Sequence, residues 1–203
     1  MSGKPVKKRD VTRARVIQAA IDCIYEVGFN AAHTNRIAEA AGVSWGVLQY
    51  HFGDKDGLLE AVLNHIFDQF SSTLAATAVE GEGVQQRMEH LIETVWALVS
   101  QPEYRVSLAI LRNAGKDEAS AIDGQVQVER WAARISALWD DLFADDLPAP
   151  EQSDVARRLM FAALRGMADE INPRGRSARA LREERRALAQ AITFLLQSDG
   201  LRA

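Results

Sequence analysis

The residues best suited to chemistry lie between Thr34 and Lys55, in the run TNRIAEAAGVSWGVLQYHFGDK. Two short apolar-periodic segments are joined there by Ala40-Ala41-Gly42-Val43-Ser44. Gly42 permits a sharp turn, and Ser44 carries a hydroxyl that can cap the segment after it. Ile37, Ala38 and Ala41 make one inward face, Leu48 and Phe52 another, and the small Ala38 lets the segments approach closely. This is the spacing of a helix-turn-helix, whose second helix enters a DNA major groove and shows its N-terminal half to base edges. Helical hairpins inside ordinary cores share that spacing, so the bare pattern leaves both readings open.

The chemistry at each position follows from residue type. Trp45 and Gln49 stand one turn apart, away from Leu48, and Gly46 beside them removes a side chain so that backbone can come near a base. A glutamine amide holds one donor and one acceptor, which match N6 and N7 of adenine; the alternative is a solvated polar residue. Trp45 can touch a thymine methyl or the sugar-phosphate backbone, or pack within the domain. The start of the second helix, at Thr34, Asn35 and Arg36, offers unpaired N–H groups and a positive dipole end, which suit phosphate. Lys55 adds a point charge at the start of a fourth helix, and Tyr50 and His51 can donate to phosphate oxygens.

The elements that position these residues are helical throughout. A first helix is expected over Val11–Val27, with Ile17, Ala20, Ile21 and Ile24 on one face and Gly28 ending it. A short helix starts near Thr34, itself a candidate N-cap. A third helix spans Trp45–Phe52, and Asp54 caps a long fourth. After the glycines of residues 80–83, helices are expected at about Val84–Ser100, Glu103–Ala114, Ala121–Ala144, Gln152–Asn172 and Ala178–Ser198, with prolines at the joints. Alternating Val, Ile and Thr runs are absent, so the expected class is all-α. The domains are expected at 1–10 (a flexible basic arm or a solvated tail), 11–55 with a connecting helix through 79, and 80–203.

The chain has 203 residues and a net charge of −4. Residues 1–65 hold 8 of the 24 Lys and Arg and 7 of the 28 Asp and Glu, a net of +1, so −5 belongs to the remainder. The acidity thus sits away from the helix-turn-helix. A single cysteine, Cys23, excludes an intrachain disulfide, which suits a reducing cytoplasm. No stretch approaches the ~18 apolar residues of a membrane span, and Met1–Asp10 has no apolar signal segment. His33, His51, His65 and His90 form no metal-binding spacing, and Cys23 reads as apolar packing, so no enzyme, metal or cofactor is expected.

The longer wording Gly42-Val43-Ser44-x-Gly46-x-Leu48-x-Tyr50-His51-Phe52-x-x-Lys55, followed by Leu58-Leu59, closely resembles the tetracycline-repressor (TetR) family of bacterial regulators. The helix ending in Gly28-Phe29 and the Thr34-x-x-Ile37-Ala38 start are similar to that family too, so the match covers about residues 12–65. The resemblance implies an N-terminal three-helix DNA-binding domain and a C-terminal helical domain for ligand binding and dimerisation. It implies that Ser44–Phe52 is the recognition helix, with Trp45, Gly46 and Gln49 facing bases, Thr34, Val47, Tyr50, His51 and Lys55 facing phosphate, and Asn35 and Arg36 able to reach either. Three positions depart from common family wording: Trp45, Val47 and Gln49. Val47 has no side-chain donor, which puts its phosphate contact in doubt.

The resemblance also implies a small-molecule ligand among the central helices. Trp96, Tyr104, Leu108, Trp131, Trp139 and Phe161 are candidates to line its cavity, with Arg112 and Arg165 to meet an acidic group; plain core and surface ion pairs are the other accounts. Val155, Leu159, Ala162, Ala163, Gly166 and Met167, with Leu188, Ile192 and Leu195, make two stripes on the last long helices. They fit either a homodimer interface or packing within one subunit, and the resemblance favours the dimer. The expected partners are therefore double-stranded DNA, a second copy of the chain and an unidentified small molecule. The expected function is a homodimeric repressor released from a palindromic operator, against the alternative of a helical ligand-binding or interaction module that does not bind DNA.

Overall fold

The computed structural model describes residues 8–76, 83–114, 122–143, 150–171 and 181–198. Among the described residues there are nine helices and no strand: α1 (Lys8–Val27), α2 (Thr34–Ala40), α3 (Trp45–Phe52), α4 (Lys55–Ala76), α5 (Val84–Val99), α6 (Pro102–Ala114), α7 (Gly124–Phe143), α8 (Pro150–Ile171) and α9 (Arg182–Gln197). The fold is all-α with an N-terminal helix-turn-helix, as expected. None of these helices is long and apolar enough to cross a membrane.

Two local expectations are corrected. Helix α1 begins at Lys8, so Arg9 and Asp10 are helical and not part of an arm. No Gly or Pro interrupts the chain between Pro5 and Gly28, and nothing there stops the helix from extending forward. Residues 1–7 of the expected arm lie outside the described residues. Thr34 is the first helical residue of α2 and not its cap; His33 holds that place and gives no side-chain bond. Helix α9 starts at Arg182, after Leu181 with a left-handed φ of 63°; the expected start at Ala178 lies outside the described residues.

The chain divides into two compact units, residues 1–69 with 102–127 and residues 70–101 with 128–203. This differs from a division at residue 80, because α6 packs against α1. Val106 and Ile110 of α6 are 1% and 0% exposed. The first unit's core also takes Ile17, Ile21 and Ile24 from α1, Ile37 from α2, Leu48 from α3 and Leu58, Val62 and Leu63 from α4. Full burial of such a side chain contributes about 1.5–3 kcal/mol.

Two glycines in this unit have structural work. Gly42 turns the chain between α2 and α3 with φ of 61°, where a side chain would be strained. Gly57 lies in the first turn of α4, where a Cβ would run into the Phe52 carbonyl oxygen at the end of α3. The missing side chain lets α3 and α4 close up on one another.

In the second unit α5, α8 and α9 pack on one another. Ala156, Met160, Leu164 and Ala168 recur at i+4 along α8 and are buried, as are Ala189, Ile192 and Leu196 of α9. Gln152, 6% exposed near the start of α8, gives its amide hydrogens to the carbonyls of Leu195 and Ser198. Carbonyls at the end of α9, which have no partner within the helix, are satisfied this way.

Candidate nucleic-acid interface

The expected DNA-binding residues come together on the first unit. Ser44 caps α3 from an extended backbone, its Oγ accepting from the Val47 N–H at 3.4 Å. Leu48 is 0% exposed and seats the helix on the core. With that residue turned inward, Trp45, Gly46, Gln49 and Tyr50 all turn out, and Tyr50 is 72% exposed. Val47 and His51 are half-buried at the flanks. Nδ1 of His51 is enclosed and has no hydrogen-bond partner, so an outward bond from this ring falls to Nε2. On α2, Thr34 is half-buried and Asn35 and Arg36 are exposed in the first turn.

Lys55 opens α4 next to this surface, its ammonium lying 5.1 Å from the centre of the Phe29 ring. Asp54 caps the same helix, with Oδ1 accepting from the Gly57 N–H at 2.8 Å. The Asp54 bond and bare Gly57 thus fix where Lys55 stands relative to the end of α3.

Arg36 stands apart from its neighbours. With Ala40 it lines an open groove of about 480 Å³, whose other wall is Arg15, Gln18, Ala19, Asp22, Cys23, Glu26 and Val27 of α1. Cys23 is 6% exposed there. Burial pushes its thiol up from the ordinary value, the Arg36 guanidinium pulls the other way, and Glu26 adds to the rise. The thiol is held neutral, as an apolar packing group is.

Sequence reasoning counted Arg9 only as part of a basic arm that engages phosphates, and missed Arg13 and Gly57. Arg9 and Arg13 of α1 lie over the Tyr50 and Phe52 rings, at 5.7 and 5.4 Å from the ring centres. Their i, i+4 spacing was the available signal. Gly57 carries no signal in its own sequence context, because the close approach it allows is tertiary.

The expected ligand residues divide between the units. Tyr104 and Leu108 are half-buried and Arg112 is exposed on α6 of the first. In the second, Trp96 and Trp139 are buried. Trp96 is 3% exposed and the Arg185 guanidinium covers its ring at 4.8 Å. Trp139 is 2% exposed, gives its indole N–H to Ser153 Oγ at 2.9 Å, and lies 4.8 Å from the Phe143 ring. Trp131 is half-buried, Arg165 is exposed, and Phe161 meets Phe70 at 6.5 Å.

The expected interface stripe of α8 falls on its outer side. Leu159 (52% exposed), Ala162 and Gly166 are exposed, and Val155, Ala163 and Met167 are half-buried. On α9, Leu188 and Leu195 are half-buried. Ile192 is 2% exposed and packed into its own chain's core. The outward apolar position is Phe194, 73% exposed, which a stripe drawn through Leu188, Ile192 and Leu195 passes over.

Residues 16–62 match the family model of bacterial regulatory proteins of the tetR family. Over 200 residues the chain is 28% identical to the HTH-type transcriptional regulator BetI of Burkholderia lata, covering 96% of this chain and 98% of that one. Among solved structures it is similar to Salmonella enterica GusR, with a TM-score of 0.74 at 23% identity over 96% of this chain and all (100%) of that one. A tetR-family regulator from Mesorhizobium loti gives 0.71 at 21% identity over 92% and 97%. The matched segment contains α2, its turn and α3, the same segment whose polar and aromatic side chains face outward, and it is this N-terminal segment that is similar to the tetR family of bacterial regulatory proteins.

Proposed function

We propose that the protein is a homodimeric transcriptional repressor of the cytoplasm that binds a palindromic operator through α2 and α3 and is released by a small-molecule ligand. The observation that carries the DNA reading is the division of α3: Leu48 is fully buried while Trp45, Gly46, Gln49 and Tyr50 all face out. Trp45, Gly46 and Gln49 are the base-facing set. Thr34, Asn35, Ser44, Tyr50, His51 and Lys55 are the backbone-facing set, and Val47 supports them without a side-chain hydrogen bond. Arg36 serves α2 from the groove side. The relatives named as transcriptional regulators support the same reading over nearly the whole length of the chain.

The dimer rests on the outer side of α8 and α9. Gly166 sits mid-helix, exposed, and a Cβ there meets nothing within 4 Å in its own chain. Glycine in a helix interior costs about 1 kcal/mol against alanine. Nothing among the described residues repays that, whereas a second helix approaching closely does. Two symmetry-related copies present two half-sites, so the operator is palindromic. For the ligand, Trp131, Phe161 and Arg165 of the second unit are the candidate contacts, Trp96 and Trp139 being engaged in the core. Release requires that the ligand bind the non-DNA-binding conformation more tightly.

The test is a binding-site selection from random duplexes, run with wild type, Gln49→Ala and Gly166→Trp. Wild type is expected to sediment as a dimer and select a two-fold symmetric site. Gln49→Ala is expected to relax one base pair per half-site at a cost of ~1–3 kcal/mol. Gly166→Trp is expected to stay helical yet lose both dimer and symmetric site. A monomeric wild type that selects no sequence overturns the reading.

A further inference from the structure

We propose that Arg9 and Arg13 carry the DNA interface onto α1, as two phosphate contacts held ready by the rings of α3; the inference rests on the DNA-binding reading above. The two arginines are four residues apart, so they share one face of α1 and stand ~6 Å apart along its axis. Their guanidinium groups lie over Tyr50 and Phe52, at 5.7 and 5.4 Å. Between those rings, His51 meets Tyr50 edge-on at 5.2 Å and Phe52 at 6.1 Å. A row of cation, three rings and cation thus joins the start of α1 to the end of α3.

Charge sorts the first unit's cations into two groups. Among described side chains up to residue 65 these are Arg9, Arg13, Arg15, Arg36 and Lys55. Arg15 and Arg36 line the α1–α2 groove, which they share with the carboxylates of Asp22 and Glu26. The other three each rest on an aromatic face on or beside α3: Arg9 on Tyr50, Arg13 on Phe52 and Lys55 on Phe29. All three are exposed. A guanidinium held over a ring still has N–H groups to offer, and their fork geometry matches phosphate oxygens. Stacking also fixes a long side chain before binding, so less freedom is lost when the phosphate arrives. A helix lying in the major groove has a strand of phosphates on each side. Lys55 at the start of α4 serves one flank of this surface, and Arg9 with Arg13 extend it past Tyr50.

The experiment titrates a fluorescein-labelled random-sequence duplex of about three helical turns with the full chain across a KCl series. Arg9→Gln and Arg13→Gln are each expected to lower the slope of log affinity against log salt by ~1, and the double variant by ~2. Affinity falls several-fold for each near ~0.15 M salt. Arg9→Lys and Arg13→Lys keep the charge and are expected to keep the slope while losing part of the affinity. Arg186→Gln, an exposed change on α9, is the charge control and is expected to leave the slope unchanged. A purely structural stacking role would shift the melting temperature without moving the slope. The proposal is overturned if the double variant keeps the wild-type slope, or if Arg186→Gln lowers it as much. A wild type that fails to bind the duplex even at low salt overturns the DNA-binding reading along with it, which separates the two failures.

Discussion

On α3 the outward residues are Trp45, Gly46, Gln49 and Tyr50, with Leu48 turned in; on α8 Leu159, Ala162 and Gly166 make an outward stripe flanked by the exposed Arg158 and Arg165, with Met160 and Leu164 turned in. Both helices divide by the same 3.6-residue period, yet their outer faces are made of different chemistry. The face of α3 holds rings with polar tips and an amide, groups that lose little by staying wet and can meet a polar surface. The stripe of α8 through Leu159, Ala162 and Gly166 is aliphatic and small, and gains most from dry contact with another helix. Burial shows which side of each helix is inward. The composition of the other side shows what kind of partner it suits.

The comparison is broken most directly by exchanging one leucine in each region. Leu48→Ala is expected to cost ~3 kcal/mol in urea denaturation, since the side chain is 0% exposed and its loss leaves a cavity. Leu159→Ala, at 52% exposure, is expected to weaken self-association and leave the isolated chain's stability within ~0.5 kcal/mol. Equal losses in the monomer would mean that Leu159 is a core residue. The glycines sharpen the contrast. Gly57→Ala places a methyl against the Phe52 carbonyl and is expected to destabilise by ~2 kcal/mol. Gly166→Ala meets open space and is expected to raise the stability of the monomer by up to ~1 kcal/mol while weakening the dimer.

Smaller effects follow from polar atoms. Trp139→Phe removes the donor to Ser153 Oγ and is expected to cost ~1 kcal/mol, measured by thermal unfolding, whereas Trp45→Phe leaves the melting temperature nearly unchanged. The smallest concerns Cys23. Its folded value is raised, so the neutral thiol's stabilisation is complete below the unfolded value and falls away as pH rises through it toward the folded one. Wild type is therefore expected to lose stability in that alkaline window more steeply than Cys23→Ala, by urea melts at stepped pH. Parallel curves would show that the thiol is not shielded.

The first unit was legible in the sequence because its signals are local. Ser44 caps, Gly42 turns and Leu48 plugs within a single hairpin, and α3 begins and ends where Trp45 and Phe52 said it would. Thr34 shows the limit, since a residue fit to cap was used one place later. The second unit was less legible because its decisions are made across the fold. The contacts of Trp96 and Trp139 could not be read from their neighbours in sequence: Arg185 lies 89 positions after Trp96, and Ser153 lies 14 after Trp139. The outward place of Phe194 and the inward place of Ile192 depend on which side of α9 meets α5 and α8, which periodicity alone does not orient.

The placement of the four tryptophans has an optical consequence. Trp45, 43% exposed on α3, is the first unit's sole indole; Trp96, Trp131 and Trp139 belong to the second, and two of these are sealed. A soluble quencher such as acrylamide therefore dims Trp45 first, and the shielded pair keeps a blue-shifted remainder. A duplex seated on α3 shelters the quenchable fraction without touching that remainder. The protein thus carries its own two-channel fluorophore set, in which occupancy of the DNA surface and events in the second unit are read separately from one unlabelled sample.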